Sequence, residues 1–167
     1  MKKLIVIIGV FALSIIFVGV SYAATVTANF EVRATIVPDC TVSTTGVDFG
    51  NLYVGNLGHA IGAIEVNCPN GSVYNVALDC GLHCATSRRM STGPTGTVFL
   101  GYFLYRDAYI QWGDSDFENT YPGGTSLGTT GTGSLQSHTV YAETDVVGSG
   151  IPTGTVLTDT VTVTVHY

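Results

Sequence analysis

The stretch that most constrains the fold reads Thr25-Val-Thr-Ala-Asn-Phe-Glu-Val-Arg-Ala-Thr-Ile36. Apolar and polar side chains alternate through it without a break. Because successive side chains of a β-strand point to opposite faces, the alternation predicts a strand with one apolar and one polar face. The apolar face consists of Val26, Ala28, Phe30, Val32, Ala34 and Ile36. Such a strand can complete a sheet of its own domain or a sheet of another molecule.

The residues before this strand have the pattern of a secretory signal peptide. Lys2 and Lys3 form a charged start, residues 4–20 form an apolar stretch, and Ser21-Tyr22-Ala23 supplies the small residues of a cleavage site. We expect residues 1–23 to be removed before Ala24, which leaves one domain of ordinary size. The alternative is an uncleaved membrane anchor, because the apolar stretch is long for a signal. If residues 1–23 are cleaved, the chain contacts a membrane only through its signal peptide.

The composition is typical of an exported β-protein. Both lysines belong to the predicted signal, so four arginines remain against twelve acidic residues, which is a formal charge of −8. A nucleic acid needs a positive surface to bind, so this charge excludes nucleic acid as a partner. Charged residues make up only 11% of the chain, well below the usual share of about a quarter.

Cysteine usage agrees with export into an oxidising compartment. The four cysteines, Cys40, Cys68, Cys80 and Cys84, allow three pairings. We favour Cys40 with Cys68, which closes a long loop between early strands, and Cys80 with Cys84, which closes a short corner. The alternative is a metal site formed by Cys80, His83 and Cys84, but a fourth ligand is missing and thiolates rarely stay reduced outside the cytosol.

Turn signals recur after the first strand at the spacing of an all-β sandwich, and no stretch has a sustained helical period. Glycine, proline, serine and threonine are concentrated in the intervening loops, notably residues 91–97 and the long stretch 121–134. The predicted strands cover residues 41–44, 47–52, 60–68, 74–78, 98–106, 136–144 and 156–167.

The last of these strands ends in Asp159-Thr-Val-Thr-Val-Thr-Val-His-Tyr167 and alternates as cleanly as the first. Its apolar face consists of Val161, Val163, Val165 and Tyr167. A sandwich whose chain ends on a core strand, and which has an unassigned amphipathic strand in front, has the pattern of a sandwich that lacks one strand. The edge beside the last strand is then the place for a donated strand.

Several short motifs along the chain resemble one family, the spore coat protein U domain, which archaic chaperone-usher pilins of Gram-negative bacteria share. The resemblance covers roughly residues 37–167. Its carriers, in chain order, are Cys40, Val47-Asp-Phe-Gly50, Ile64-Glu-Val-Asn-Cys68 with Pro69-Asn-Gly71, Tyr74-Asn-Val-Ala-Leu78, Arg89-Met90, Leu100-Gly-Tyr-Phe-Leu-Tyr-Arg-Asp107, Trp112-Gly-Asp114, Gly154 and the closing strand. The Cys80 and Cys84 pair and the glycine-rich loop are less typical of the family.

This resemblance implies an immunoglobulin-like β-sandwich without its final strand. A periplasmic chaperone lends a strand first, and at the outer-membrane usher the N-terminal extension of the next subunit replaces it, so that subunits form a surface fibre for adhesion and biofilm formation. In this chain the donor extension is residues 24–37 and the sandwich is residues 38–167. The implied route runs through the periplasm to the cell surface of a Gram-negative bacterium, with identical or related subunits as partners and no cofactor.

Other readings remain open. In one alternative the strand folds back onto its own domain and gives a self-complemented coat protein, since Pro38 serves equally as a linker or as a turn. A sugar-binding adhesin is suggested by an aromatic and acidic group, namely Tyr102, Tyr105, Tyr109, Trp112, Asp107, Asp114 and Asp116. Asp114 and Asp116 also suggest calcium, but they lack the remaining oxygen ligands, and a role in holding a turn is favoured.

An enzyme is poorly supported by the sequence. The four histidines, His59, His83, His138 and His166, are scattered, and no nucleophile elbow, metalloprotease helix or phosphate-binding loop accompanies them. We therefore expect no catalytic residues and no metal.

Overall fold

The computed structural model describes residues 24–36, 39–107, 109–118, 121 and 123–167, and within them every regular element is a β-strand. The strands, numbered in chain order, are β1 (Thr41–Thr44), β2 (His59–Asn67), β3 (Val73–Leu78), β4 (Arg89–Ser91), β5 (Phe99–Arg106), β6 (Ile110–Gln111), β7 (Leu127–Thr130), β8 (Gln136–Thr144) and β9 (Val163–His166). This confirms the prediction of an all-β fold.

The strands form two antiparallel sheets. The larger sheet has the order β1-β2-β8-β5-β4, with β6 pairing to β5, and the smaller has the order β7-β3-β9. The longest ladder joins β2 to β8 and places Ile64 opposite His138. In the smaller sheet Val76 of the central strand faces Val165 of β9 and Leu127 of β7. Both β1 and β9 are therefore edge strands.

The core lies between the two sheets and is supplied by alternate residues of the long strands. Leu100, Tyr102 and Leu104 of β5 are buried while their neighbours are less so, as expected for a strand with one face on a core. Trp112 is fully buried and donates its indole N–H to the carbonyl of Val76 over 2.8 Å. The remaining core residues come mainly from β2, β3 and β8: Ile64, Val66, Tyr74, Val76, Leu78, Val140 and Ala142.

A buried arginine joins the end of β3 to the region around Trp112. Arg88 has no exposed surface and donates to the carbonyls of Asp79, Trp112 and Leu78, each over 2.8 Å. Its guanidinium lies 4.0 Å from the ring centre of Tyr121. Desolvation lowers the pKa of Arg88, and the nearby hydroxyls and carboxylates oppose that shift. The charge is thus held by three carbonyl dipoles and a ring face.

The predicted strands agree with the observed ones except at two places. Strands 41–44 and 136–144 have the predicted bounds, β3 and β5 differ from prediction by one residue at their start, and β2 is shifted by one residue at both ends. Residues 47–52 form no strand, because Gly46 and Gly50 adopt positive φ angles of 67° and 62° and the amide of Gly50 donates to Asp48 Oδ1 in a tight turn.

The second difference is the C-terminal strand, which is much shorter than the predicted 156–167. Regular pairing is limited to β9, and before it only Thr158 forms an isolated bridge, to Ser91. Three short strands, β4, β6 and β7, were not predicted, and β7 lies inside the stretch 121–134 that was predicted as a loop. Short strands leave little alternation to detect.

The N-terminal segment, residues 24–36, forms no strand, and all of its side chains are exposed. A single strand has no ladder of its own, so its alternating pattern requires a partner to become regular structure. The predicted signal peptide and the linker residue Pro38 lie outside the described residues. Within the described residues, no helix has the length and apolarity needed to cross a membrane.

Candidate functional site: an open groove between two sheet edges

A groove runs along the open side of the sandwich, between residues 46–54 and residues 151–163. It contains two adjoining cavities of about 410 and 670 Å³. The residues common to both cavities are Val47, Asp48, Phe49, Met90, Val156 and Leu157. The cavities therefore form one continuous depression rather than two separate sites.

The groove is apolar because it opens directly onto the core. Its floor includes the buried side chains of Ile64, Leu78 and Leu104. Its walls are partly exposed hydrophobic residues that pack against the same core, namely Val47, Phe49, Met90, Val161 and Val163. An apolar chain laid here would remove this surface from water, which is the main favourable term in protein association.

The strands that flank the groove have free edges. Among the described residues, β9 pairs with β3 on one side only, and β1 pairs only with β2. An edge strand presents a row of backbone N–H and C=O groups that a further strand can pair with. The groove thus combines an apolar floor with an unpaired edge, and these are the two requirements for binding an extended segment by β-augmentation.

The N-terminal segment has the complementary chemistry. Val26, Phe30, Val32 and Ile36 have exposed fractions of 95%, 89%, 82% and 95%, which is unusual for side chains of this size. In an extended strand, residues 26–36 span about 33 Å at roughly 3.3 Å per residue. The C-terminal stretch 156–166 has the same number of residues, so one can lie along the other over its full length.

The predicted residues of the last strand do not all lie at the groove. Val161 and Val163 line it, and Val165 packs against the core next to it. Tyr167 lies outside both cavities and is 58% exposed. Sequence reasoning missed the opposite wall, Val47, Phe49 and Met90. The signal was present in the alternation of Val47-Asp-Phe, which was interpreted as a strand.

A model of one protein family matches this chain over residues 26–164, and its description is "Spore Coat Protein U domain". The chain belongs to the spore coat protein U domain family. No curated protein gives a significant match to this member of the family.

The fold of this spore coat protein U domain is similar to a solved structure. That structure is the CsuC–CsuE chaperone–tip adhesion subunit pre-assembly complex from archaic chaperone-usher Csu pili of Acinetobacter baumannii. The TM-score is 0.55 and the identity 24%, over 80% of this chain and 40% of the other. This chain thus spans less than half of that protein, and the likeness concerns the fold. The predicted immunoglobulin-like, pilin-type sandwich is confirmed at this level.

Two disulfides brace the spore coat protein U domain at the ends of the groove strands. Cys40 pairs with Cys68 and Cys80 pairs with Cys84, which are the two pairings we favoured. The first joins the residue before β1 to the residue after β2, so it reinforces the ladder that starts with Thr41 opposite Asn67. The second uses both sulfurs of the alternative metal site, which leaves that site without its thiolates.

The aromatic and acidic group of the sugar-binding alternative is divided by the fold. Trp112, Tyr102 and Asp114 are buried, so they cannot stack on or grip a sugar. Tyr105, Tyr109 and Asp107 line a separate cavity of about 590 Å³ on the outer face of the larger sheet. Tyr141, His59 and Glu143, which the sequence did not suggest for this group, also line it, together with Ala60, Ile61 and Ala142.

The two aspartates considered for calcium hold turns, as favoured from the sequence. Asp114 Oδ1 accepts the backbone N–H of Tyr121 over 2.6 Å. Asp116 accepts the backbone N–H and the hydroxyl of Ser126 over 2.8 and 2.6 Å. Desolvation alone would raise the pKa of Asp116, but the bonds from Ser126 and the charge of Arg106 outweigh it and lower that pKa. No group of three or more potential metal ligands lies within the described part of the chain.

Proposed function

We propose that this chain is a structural subunit of a chaperone-usher surface pilus assembled by donor-strand exchange. In this proposal residues 24–37 of one copy fill the groove of the next copy, and the domain of residues 38–167 is the repeating unit. The pilus would serve adhesion and biofilm formation. Residues 1–23 would direct the chain into the periplasm of a Gram-negative bacterium, from which it reaches the cell surface in a fimbrium.

The observation that carries the proposal is that one chain contains both an open apolar groove and an exposed apolar segment. The groove presents partly exposed hydrophobic residues that pack against the core, beside an edge of β9 that pairs with no other described strand, and residues 26–36 expose an apolar row. Either feature alone is a liability for a protein in water, since open edges and apolar patches promote aggregation. Their matching apolar character and similar length support a specific interaction between copies.

The free energies explain why both features are needed. Burying Val26, Phe30, Val32 and Ile36 contributes roughly 6 to 12 kcal/mol, at about 1.5 to 3 kcal/mol for each side chain. Ordering about a dozen residues costs at least as much. Apolar burial alone therefore does not hold copies together, and the backbone ladder beside β9 must add to it. We expect the acceptor residues to be Val161, Val163, Val165 and Tyr167 with the opposite wall at Val47 and Phe49.

The proposed partners follow from the same groove. A subunit that waits in the periplasm with its core exposed needs a protein that covers the groove, which is the role of a periplasmic chaperone. The subunit then needs an outer-membrane usher where the next copy's segment replaces the chaperone. The similarity in fold to the subunit of a chaperone–subunit complex supports this sequence of partners. No residue in the proposal acts chemically, so an enzymatic activity forms no part of it.

The proposal predicts polymers that depend on Phe30. Surface material from cells that express the chain with its chaperone and usher should give a ladder of multiples on unboiled gels and a single band after boiling. Phe30→Arg places a charge on the apolar row and should abolish the ladder. Asn29→Arg is the matched control, because it adds the same charge one residue away on the polar face, and it should keep the ladder.

Two results would count against the fibre. A normal ladder from Phe30→Arg would show that the apolar row does not join the copies. A single monomer band at the surface in boiled and unboiled lanes would favour a self-complemented coat protein, whose strand returns to its own groove.

A second candidate, glycan binding, rests on the separate aromatic cavity at Tyr105, Tyr109 and Tyr141. A tyrosine side chain, with an apolar ring and a polar hydroxyl, suits ligands that have both apolar and polar faces. Glu143 and Asp107 at the same cavity could accept hydrogen bonds from ligand hydroxyls. Binding of the assembled protein on a glycan array, lost in Tyr141→Ala, would support this role, and a blank array would count against it.

A further inference from the structure

One wall of the groove is held by a short loop rather than by a sheet. Residues 158–162 lead into β9 but lie before its ladder with β3 begins. At their start, Thr158 exchanges two backbone hydrogen bonds with Ser91, over 2.9 and 2.8 Å. Beyond this bridge the segment needs other partners for its backbone groups, because buried or half-buried amides and carbonyls are rarely left unpaired.

The loop of residues 79–84 supplies those partners. The amide of Leu82 donates to the carbonyl of Thr160, and the amide of Asp79 donates to the carbonyl of Thr162, each over 3.1 Å. In return the amide of Thr162 donates to Asp79 Oδ1 over 2.8 Å. The same oxygen accepts the amide of Gly81 over 2.9 Å, which fixes the loop itself. The loop thus acts as a substitute for the missing ladder.

A side-chain network adds to these backbone contacts. The Asp159 carboxylate, whose side chain is only 3% exposed, accepts the hydroxyl of Tyr102 over 2.6 Å and lies 3.0 Å from His83 Nδ1. His83 Nε2 lies 3.1 Å from the carbonyl of Gly93. Both ring nitrogens therefore lie within hydrogen-bond distance of an acceptor oxygen. Asp159 and Tyr102 also line the groove.

The Cys80–Cys84 disulfide closes this loop at both ends. We propose that the disulfide and His83 form a positioning device that holds residues 158–162 as a rigid groove wall, so that the groove is already shaped before a donor segment enters. The role rests on the proposed function, because a preformed groove matters only if a strand is to be bound. Preorganisation of this kind improves affinity by reducing the ordering cost at the moment of binding.

The two disulfides differ in exposure, which makes the positioning device testable in the native chain. Each disulfide has one buried cysteine, Cys80 at 4% and Cys68 at 1% exposure, but its partner is exposed in the case of Cys84 and only partly exposed in the case of Cys40. Mild reduction should therefore open Cys80–Cys84 first, as mass spectrometry of alkylated thiols can verify. The double variant Cys80→Ser and Cys84→Ser gives the same opening permanently. His83→Ala keeps the disulfide and removes only the side-chain network.

Hydrogen exchange tests the positioning without any need for polymers. In the full chain bound to its chaperone, opening the disulfide should speed exchange on the order of 10- to 50-fold at the amides of Asp79, Leu82, His83 and Thr162, since the closed loop loses its constraint. His83→Ala should give a smaller rise at the same amides. Exchange in β2 and β8 should stay unchanged, because these strands have their own ladder. Unchanged exchange at all four amides would overturn the proposal.

The gel ladder tests whether the rigid wall matters for the groove. Polymers of the double variant should dissociate at a lower temperature than those of the parent chain, with His83→Ala between them. If exchange rises but the dissociation temperature does not change, residues 158–162 are not needed as a wall and the inference is wrong. If the parent chain itself forms no ladder, the proposed function fails, and the exchange result still decides whether the loop holds the segment.

Discussion

Shortening Phe30 to alanine should weaken the contact between copies by a measurable and limited amount. Phe30 lies near the middle of the apolar row, and its side chain is 89% exposed in the single chain. Nearly all of the surface that Phe30 buries in the groove of a neighbour would therefore be buried by assembly and not by folding of the single chain. The alanine variant keeps the strand pattern and the backbone ladder, so the substitution removes one side chain from an otherwise intact contact.

The magnitude follows from the area removed from water. Fully burying a phenylalanine side chain contributes about 1.5 to 3 kcal/mol, which corresponds to roughly a 10- to 150-fold weaker contact for each pair of copies. In a unit of this size 1 kcal/mol shifts a melting midpoint by about 2 to 4 °C, so the expected decrease is roughly 3 to 12 °C. Any cavity left in the groove adds to this value.

The assay is the temperature at which purified polymers lose their ladder on unboiled gels, measured over a series of incubation temperatures. Asn29→Ala is the control, because Asn29 lies on the polar face of the same segment and its truncation leaves the apolar row intact. Its midpoint should stay within about 2 °C of the parent. Equal midpoints for Phe30→Ala and Asn29→Ala would refute the assignment of this row as the face that enters the groove.

Two further predictions concern the domain itself. Arg88→Met should lower the free energy of unfolding by about 3 to 5 kcal/mol, because it removes the donors of three carbonyls, two of them buried. Arg106→Met should cost under about 1 kcal/mol. Denaturant unfolding followed through the single tryptophan, Trp112, measures both, and equal losses would contradict the role of Arg88. Desolvation lowers the pKa of His138, whose ring nitrogen lies 2.9 Å from the Tyr74 hydroxyl. As the pH falls, the unfolded chain binds this proton before the folded chain does, so stability should fall below about pH 6.5. His138→Gln should flatten this dependence in thermal melts at pH 5 to 7, and an unchanged slope would contradict the prediction.

Much of the fold was predictable because long strands carry their own pattern. The stretches around Ile64, Leu104 and Val140 alternate over eight or nine residues and reappear as β2, β5 and β8 with nearly the predicted bounds. The disulfide pairing and the turn role of Asp114 and Asp116 followed from local chemistry in the same way. The strands and the Cys80–Cys84 corner depend on residues close together in the sequence, whereas Cys40 and Cys68 are 28 residues apart and were paired from the small number of possible pairings.

The groove was harder to predict because it depends on contacts between distant segments. Val47 and Phe49 alternate like strand residues, but Gly46 and Gly50 turn the backbone away from a ladder and make this stretch a groove wall. The segment before β9 likewise alternates without forming a strand. Its partner is the loop around His83, which no local periodicity reveals. Arg88 was missed for the same reason, because its carbonyl partners are adjacent only in the fold.

The most direct test of donor-strand exchange is a photo-cross-linker placed at Phe30 in polymers assembled from a mixture of isotopically light and heavy chains. Mass spectrometry then identifies both the residue captured and whether it belongs to the same chain. We predict cross-links between light and heavy chains, to the groove walls at Val47, Phe49, Met90, Val161 and Val163. Cross-links confined to a single chain, or directed to a surface away from the groove, would contradict the assembly of copies through this groove.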